Sequence, residues 1–163
     1  APYACDMAPM GYQWFSVQDR TPEAMLAQAR AIAPSLDAFI DAELARVGLT
    51  ADKLALVGFS QGTMMSLYVA PRRAAPVAAV VGYSGRLIAP EQLQAETVSR
   101  PPIVLIHGVV DDLVPFASMA EAEAGLNAAG FTVETEARPG LGHGIDPEGL
   151  ARGGAFLQTI FGN

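Results

Sequence analysis

The residues best equipped for chemistry in this chain are one serine, two histidines and a pair of adjacent aspartates. Ser60 stands in Gly58-Phe59-Ser60-Gln61-Gly62, a G-x-S-x-G pattern between a short apolar run and a helical one. Small residues two positions either side of a serine let a strained turn form, exposing the hydroxyl above the start of a helix. A serine hydroxyl is a weak nucleophile at neutral pH, so a neighbouring base must take its proton. The only histidines are His107 and His143. His107 ends the apolar run Ile103-Val104-Leu105-Ile106 and is predicted to be buried and hydrogen-bonded. His143 lies in the loop Pro139-Gly140-Leu141-Gly142-His143-Gly144, where a histidine has little packing reason to be, and is the candidate base. A carboxylate must then orient the imidazole and stabilise its protonated form. Asp111 and Asp112 both lie between Ser60 and His143, in the loop leaving the His107 run, and spacing does not choose between them. Asp146 follows His143 closely and, with Pro147 after it, is expected to cap a helix.

These side chains need a frame, and the pattern of apolar residues supplies one. Lys53 to Gly58 reads as a parallel strand buried on both faces, followed by a tight turn and a helix over Met64 to Ala70. Strands are predicted at Val77 to Gly82 and Ile103 to His107, with a helix near Glu91 to Val98 between them. A helix over Ser118 to Ala129, a strand over Phe131 to Glu136 and a helix over Pro147 to Phe161 complete the alternation. Upstream, Thr21-Pro22-Glu23 starts a long helix that Gly48 stops, with Pro34 predicting a kink or break. Before it, Pro2, Pro9 and Gly11 suggest a loop leading to a short extended segment at Tyr12 to Phe15, in which Trp14 packs. Alternating strands and helices imply a mainly parallel sheet covered on both faces, with the site at the carboxyl ends of its strands.

Composition narrows the function. One domain of 163 residues is expected. A formal charge of −7, with the arginines scattered apart from Arg72-Arg73, argues against nucleic acid and anionic lipid as partners. The single cysteine, Cys5, allows no intramolecular disulfide and no thiolate cluster, which fits a reducing cytoplasm. No run of about 18 apolar residues occurs, so no stable membrane insertion is expected. The two histidines fall in separate loops without ligand spacing, so neither a metal nor an organic cofactor is implied.

On these motifs the chain resembles the phospholipase/carboxylesterase family, which includes the acyl-protein thioesterases, and in particular its bacterial carboxylesterases. The resemblance extends over nearly every residue. Gly58-Phe59-Ser60-Gln61-Gly62 matches the nucleophile motif, and Gly142-His143-Gly144 matches the histidine loop. His107-Gly108, Asp111 and Val114-Pro115 match an H-G-x-x-D-x-x-V-P acid motif, and that register selects Asp111 over Asp112. It implies an α/β-hydrolase fold with a Ser60-His143-Asp111 triad, the backbone N–H of Gln61 in the oxyanion hole, and Leu113 lining the acyl pocket. Phe59, Met64 and Leu141 are further candidates for its apolar walls. Members of the family normally carry, ahead of the part matched here, a strand, an L-H-G-x-G loop, a helix and another strand. The chain is therefore expected to be the C-terminal portion of the family's domain, with one oxyanion donor missing. It should also present an unpaired edge at Leu54 to Val57 that would pair with a second copy or with an N-terminal segment.

The expected reaction is hydrolysis of small carboxylic esters with short to medium acyl chains through an acyl-enzyme. The same site would also accept thioesters or lysophospholipids by resemblance. The competing readings are a non-catalytic or split remnant that binds a partner through the open edge, and a peptidase on the same fold.

Overall fold

Short apolar runs alternating with amphipathic ones give a layered α/β architecture in the computed structural model, which describes residues 6–8 and 11–162. Cys5, the opening Ala1-Pro2-Tyr3 and Pro9 lie outside the described residues. Strands β1 (Asp6–Ala8) and β2 (Gly11–Gln13) pair antiparallel, ahead of the long helix α1 (Pro22–Val47). There follow β3 (Ala55–Phe59), α2 (Gln61–Val69), β4 (Ala79–Tyr83), α3 (Pro90–Glu96), β5 (Ile103–Gly108), α4 (Ala117–Ala128), β6 (Val133–Arg138) and α5 (Pro147–Phe161). Strands β3 to β6 form one sheet in the order β3-β4-β5-β6, every pair parallel.

Successive residues of a strand face opposite sides, and two core clusters follow that alternation. Val80, Ile103 and Leu105 pack with Leu67 of α2, Leu93 of α3 and Leu126 of α4 on one face. Ala79, Val81, Tyr83, Val104 and Ile106 pack with Phe156 of α5 on the other. Helix α1 lies against α2, burying Met25, Ala29, Leu36 and Ile40 at helical spacing in a third cluster with Phe15, Met65 and Tyr68.

The helix ends carry the expected caps. Thr21 accepts the Ala24 N–H with Pro22 at the first turn, and Gly48 closes α1 in the left-handed region at φ 70°. Asp146 accepts the Gly149 N–H at 2.8 Å at the start of α5. Two expectations are corrected, a break at Pro34 and the burial of β3 on both faces. Helix α1 runs through Pro34 without a break, because buried side chains on both sides of the proline, Ala29 and Leu36, hold the flanking turns to the core. Strand β3 is not buried on both faces. Among the described residues it is a terminal strand of the sheet, with Val57 60% exposed and Phe59 39% exposed. A continuous apolar run does not by itself distinguish a central strand from an edge strand, whereas the unpaired edge at Leu54 to Val57 expected from the family resemblance agrees with this position.

Two adjacent glycines in α5 test this packing. A Cβ at Gly153 would collide with the Tyr83 hydroxyl, whereas one at Gly154 meets nothing within 4 Å. Gly153→Ala should therefore lower stability by about 1–3 kcal/mol through overpacking. Gly154→Ala should raise it by about 0.5–1 kcal/mol through helix propensity. Urea denaturation of both variants reads the opposite signs.

Candidate active site

The parallel sheet brings the sequence-predicted residues to one end, each just past the carboxyl end of its strand. Ser60 occupies the turn between β3 and α2 with φ 51° and ψ −116°, a conformation L-residues rarely adopt. The turn is held by Ser60 N–H donating to the Tyr83 carbonyl at 2.9 Å and by Met64 N–H donating to the Ser60 carbonyl at 3.1 Å. Gly58 is required here, since a Cβ would collide with the backbone of Gly62 and Thr63. Gly62 differs, as a Cβ there would meet nothing within 4 Å. The expectation that both glycines relieve collisions thus holds for Gly58 alone among the described residues.

Asp111 lies in the loop between β5 and α4, its side chain fully buried. One carboxylate oxygen accepts the Leu113 N–H at 3.0 Å and the Val114 N–H at 2.9 Å. The other accepts from His143 Nδ1 at 2.8 Å. Because a carboxylate only accepts, that contact places the proton on Nδ1 and leaves Nε2 of His143 free to act as a base. Burial pushes the Asp111 pKa up, but the hydrogen bonds from His143, Val114 and Leu113 outweigh it and hold it below the ordinary aspartate value. Asp112 is exposed. His107 is buried as expected. Its Nε2–H donates to the Val114 carbonyl at 2.9 Å, and the same nitrogen stands 3.3 Å from Asp111.

The histidine loop is docked on the acid loop by backbone. Val109 N–H donates to the Arg138 carbonyl and Val110 N–H to the Leu141 carbonyl, each at 3.0 Å. A Cβ at Gly108 would collide with the carbonyls of Leu141 and Gly142, which explains why glycine follows His107. The Phe59 ring lies against the His143 imidazole with centroids 4.8 Å apart.

Ser60, Gln61 and His143 line one cavity of about 670 Å³, together with Phe59, Met64 and Leu113. Leu141 is not part of its lining: its backbone is committed to Val110 and Gly108, where it positions the histidine loop. The Gln61 side chain has a task that the motif did not reveal. Its Nε2 donates to the Phe15 carbonyl at 2.8 Å and its Oε1 accepts the Trp14 N–H at 2.9 Å, tying residues 14–15 over the site. Only the polar character of Gln61 hinted at this. Among the described residues no group of three or more His, Cys, Asp or Glu is placed to hold a metal ion, and no helix is long and apolar enough to cross a membrane.

A parallel sheet flanked by helices, a strained serine turn and a buried aspartate bonded to a partly exposed histidine at the carboxyl ends of the strands are the features of the α/β-hydrolase class. Comparison with known proteins makes this specific. The chain belongs to the phospholipase/carboxylesterase family, whose model matches residues 1–161. It is 34% identical over 139 residues to Esterase YpfH of Escherichia coli, covering 85% of this chain and 58% of that protein. It is 30% identical over 159 residues to acyl-protein thioesterase 1 of Schizosaccharomyces pombe, covering 95% of this chain and 70% of that one. The crystal structure of esterase PE8 superposes with a TM-score of 0.90 at 40% identity, covering 99% of this chain and 76% of that one. The chain thus spans little more than half the length of Esterase YpfH.

The depressed pKa of Asp111 sets a sign. A carboxyl that titrates lower in the folded state than its unfolded value of about 3.9 stabilises the fold above that value, and this stabilisation is lost as pH falls through the folded value. Asp111→Asn should cost about 1–3 kcal/mol at pH 7, and the gap from the unaltered protein should narrow as pH drops to about 3. Urea denaturation at the two pH values measures it, and a gap independent of pH would contradict the assignment.

Proposed function

We propose that the chain is the catalytic portion of a serine carboxylesterase that hydrolyses carboxylic esters of short to medium acyl chain. His143 Nε2 takes the Ser60 proton, the Ser60 oxygen attacks the ester carbonyl, and Asp111 steadies the imidazolium. The alcohol leaves with a proton returned by His143, and water then releases the acid from the acyl-enzyme. The observation that carries this reading is the 2.8 Å contact between His143 Nδ1 and Asp111, with Ser60 and His143 lining one cavity. Gln61 is the first residue of α2, so its N–H has no partner within the helix and is available to the oxyanion. The family resemblance would place a second donor in a loop upstream of the part matched here, and loss of one such donor lowers turnover by about 10²- to 10³-fold. Thioesters fit the same chemistry, and the fission-yeast relative is named for them.

A second reading rests on β3. Its outer edge is unpaired among the described residues, and an apolar groove of about 420 Å³ lined by Phe39, Ile40, Leu54, Leu56, Val57 and Phe59 runs beside it. In this reading the 163 residues bind further polypeptide along that edge, either a second copy or the additional length that relatives possess.

Two measurements separate the readings. A fluorophosphonate probe should add once to the protein, at Ser60, and Ser60→Ala should abolish both the adduct and hydrolysis of 4-nitrophenyl butyrate. An unlabelled protein would sink the esterase reading. Sedimentation velocity should find the chain self-associated and Val57→Lys monomeric, because a charge on the edge opposes pairing. A monodisperse unaltered monomer would count against an edge in need of a partner.

A further inference from the structure

Three strands of the parallel sheet deliver Ser60, Asp111 and His143 from their carboxyl ends, and the fourth, β4, delivers an arginine. Chain 84–86 leaves β4 through Ser84, itself at φ 46°, and brings the half-buried Arg86 to the cavity that Ser60 and His143 line. Arg20, just ahead of α1, lines the same cavity.

The charges around them are unusual for this protein. Seven of the ten lysines and arginines form ion pairs with carboxylates. The other three are Arg20, Arg86 and Arg100, and none of these has a carboxylate within ion-pair distance among the described residues. Arg100 is otherwise engaged, donating to the Ala129 carbonyl at the end of α4. Arg20 donates to the Val17 carbonyl, and among the described residues the hydrogen-bond partner of Arg86 is the Met25 sulfur at 4.0 Å. So in a chain of net charge −7, two of the three guanidinium groups lacking a carboxylate face the candidate catalytic cavity, and among the described residues no aspartate or glutamate lines it. Glu23, Glu91 and Glu121 line the adjoining cavity, which shares Arg20, Met25 and Arg86. Their repulsion confines an anion to the Ser60 side of the arginines.

We propose that Arg86, with Arg20 at the rim, binds an anionic group on the substrate, so that the preferred ester carries a carboxylate or phosphate a few bonds from the ester carbonyl. The inference deepens the esterase reading and rests on it for the position of the scissile bond. A guanidinium offers several N–H donors in a fixed fork, and a pocket already free of competing carboxylates leaves them for a ligand.

The test compares two esters of equal chain length, 4-nitrophenyl pentanoate and the mono-4-nitrophenyl ester of glutaric acid. The acidic ester should be favoured in kcat/KM by about 10-fold or more, the value of one charge-assisted hydrogen bond. Arg86→Gln should bring that ratio to about one, Arg86→Lys should restore part of it, and raising salt should narrow it in the unaltered protein. A ratio near one in the unaltered protein, or a ratio that Arg86→Gln does not change, overturns the proposal. If neither ester is turned over, calorimetric titration with glutarate and with glycerol 3-phosphate decides without catalysis. Binding that is lost in Arg86→Gln upholds the anion site while the esterase reading falls, and absence of binding by both ligands overturns the site. The tighter of the two ligands distinguishes a carboxylate-bearing substrate from a phosphate-bearing one.

Discussion

The buried carboxylate of Asp111 is the constraint to which the rest of the site conforms. A charge removed from water is stable only when its oxygens are fully hydrogen-bonded; otherwise the group takes up a proton and loses its grip on a histidine. Here the donors come from two loops, Leu113 and Val114 N–H on one side and His143 on the other. Each donor needs its own support. The Val114 carbonyl is held by His107, which explains a histidine at the end of a strand otherwise made of aliphatic residues. The His143 loop is held by backbone bonds to residues 109 and 110, and the close approach those bonds require excludes any side chain at Gly108. The spacing from His107 to Val114 is thus a single device for keeping one carboxylate ionised.

A second constraint acts at Ser60. A non-glycine residue at positive φ costs of order 1–3 kcal/mol and persists only where its surroundings over-determine it. Those surroundings are β4, whose Tyr83 carbonyl accepts from both Ser60 N–H and the Thr63 hydroxyl, and α2, whose first turn bonds back to the Ser60 carbonyl. Strand β4 therefore fixes the serine turn with its backbone while sending Arg86 into the cavity beyond it.

What the sequence disclosed and what it concealed divide along physical lines. Features encoded by local chemistry were legible: the caps at Thr21, Gly48 and Asp146, the alternation of strands and helices, and the chain order of serine, aspartate and histidine. Choosing Asp111 over Asp112 needed the family register, because both share a loop and only tertiary packing turns one inward. Features that depend on what lies across space were not legible. Pro34 sits in an unbroken helix because packing outweighs its local cost, and the apolar run of β3 reads as a strand buried on both faces, its edge position being indicated by the family resemblance and not by the run itself. The Leu141 backbone and the Gln61 side chain have tasks of the same kind, set by contacts distant in sequence. One is spent on backbone contacts to Gly108, and the other reaches 46 residues back along the chain to Phe15.

The open edge and the candidate catalytic cavity are physically joined. Phe59, Trp14 and Gly62 line both the apolar groove beside β3 and the cavity that holds Ser60. Phe59 also lies against the His143 ring. A polypeptide that paired with β3 would bury Val57 and Phe59 together, since both point to the exposed side of the same short strand. It would restrict the Phe59 ring, and through it the imidazole, while occupying the open space beside Gly62. Covering the edge and ordering the base are therefore coupled through one aromatic side chain. Because burial of the two side chains favours pairing, and pairing in turn confines the ring against His143, the stability of the sheet edge and the readiness of the site would rise together.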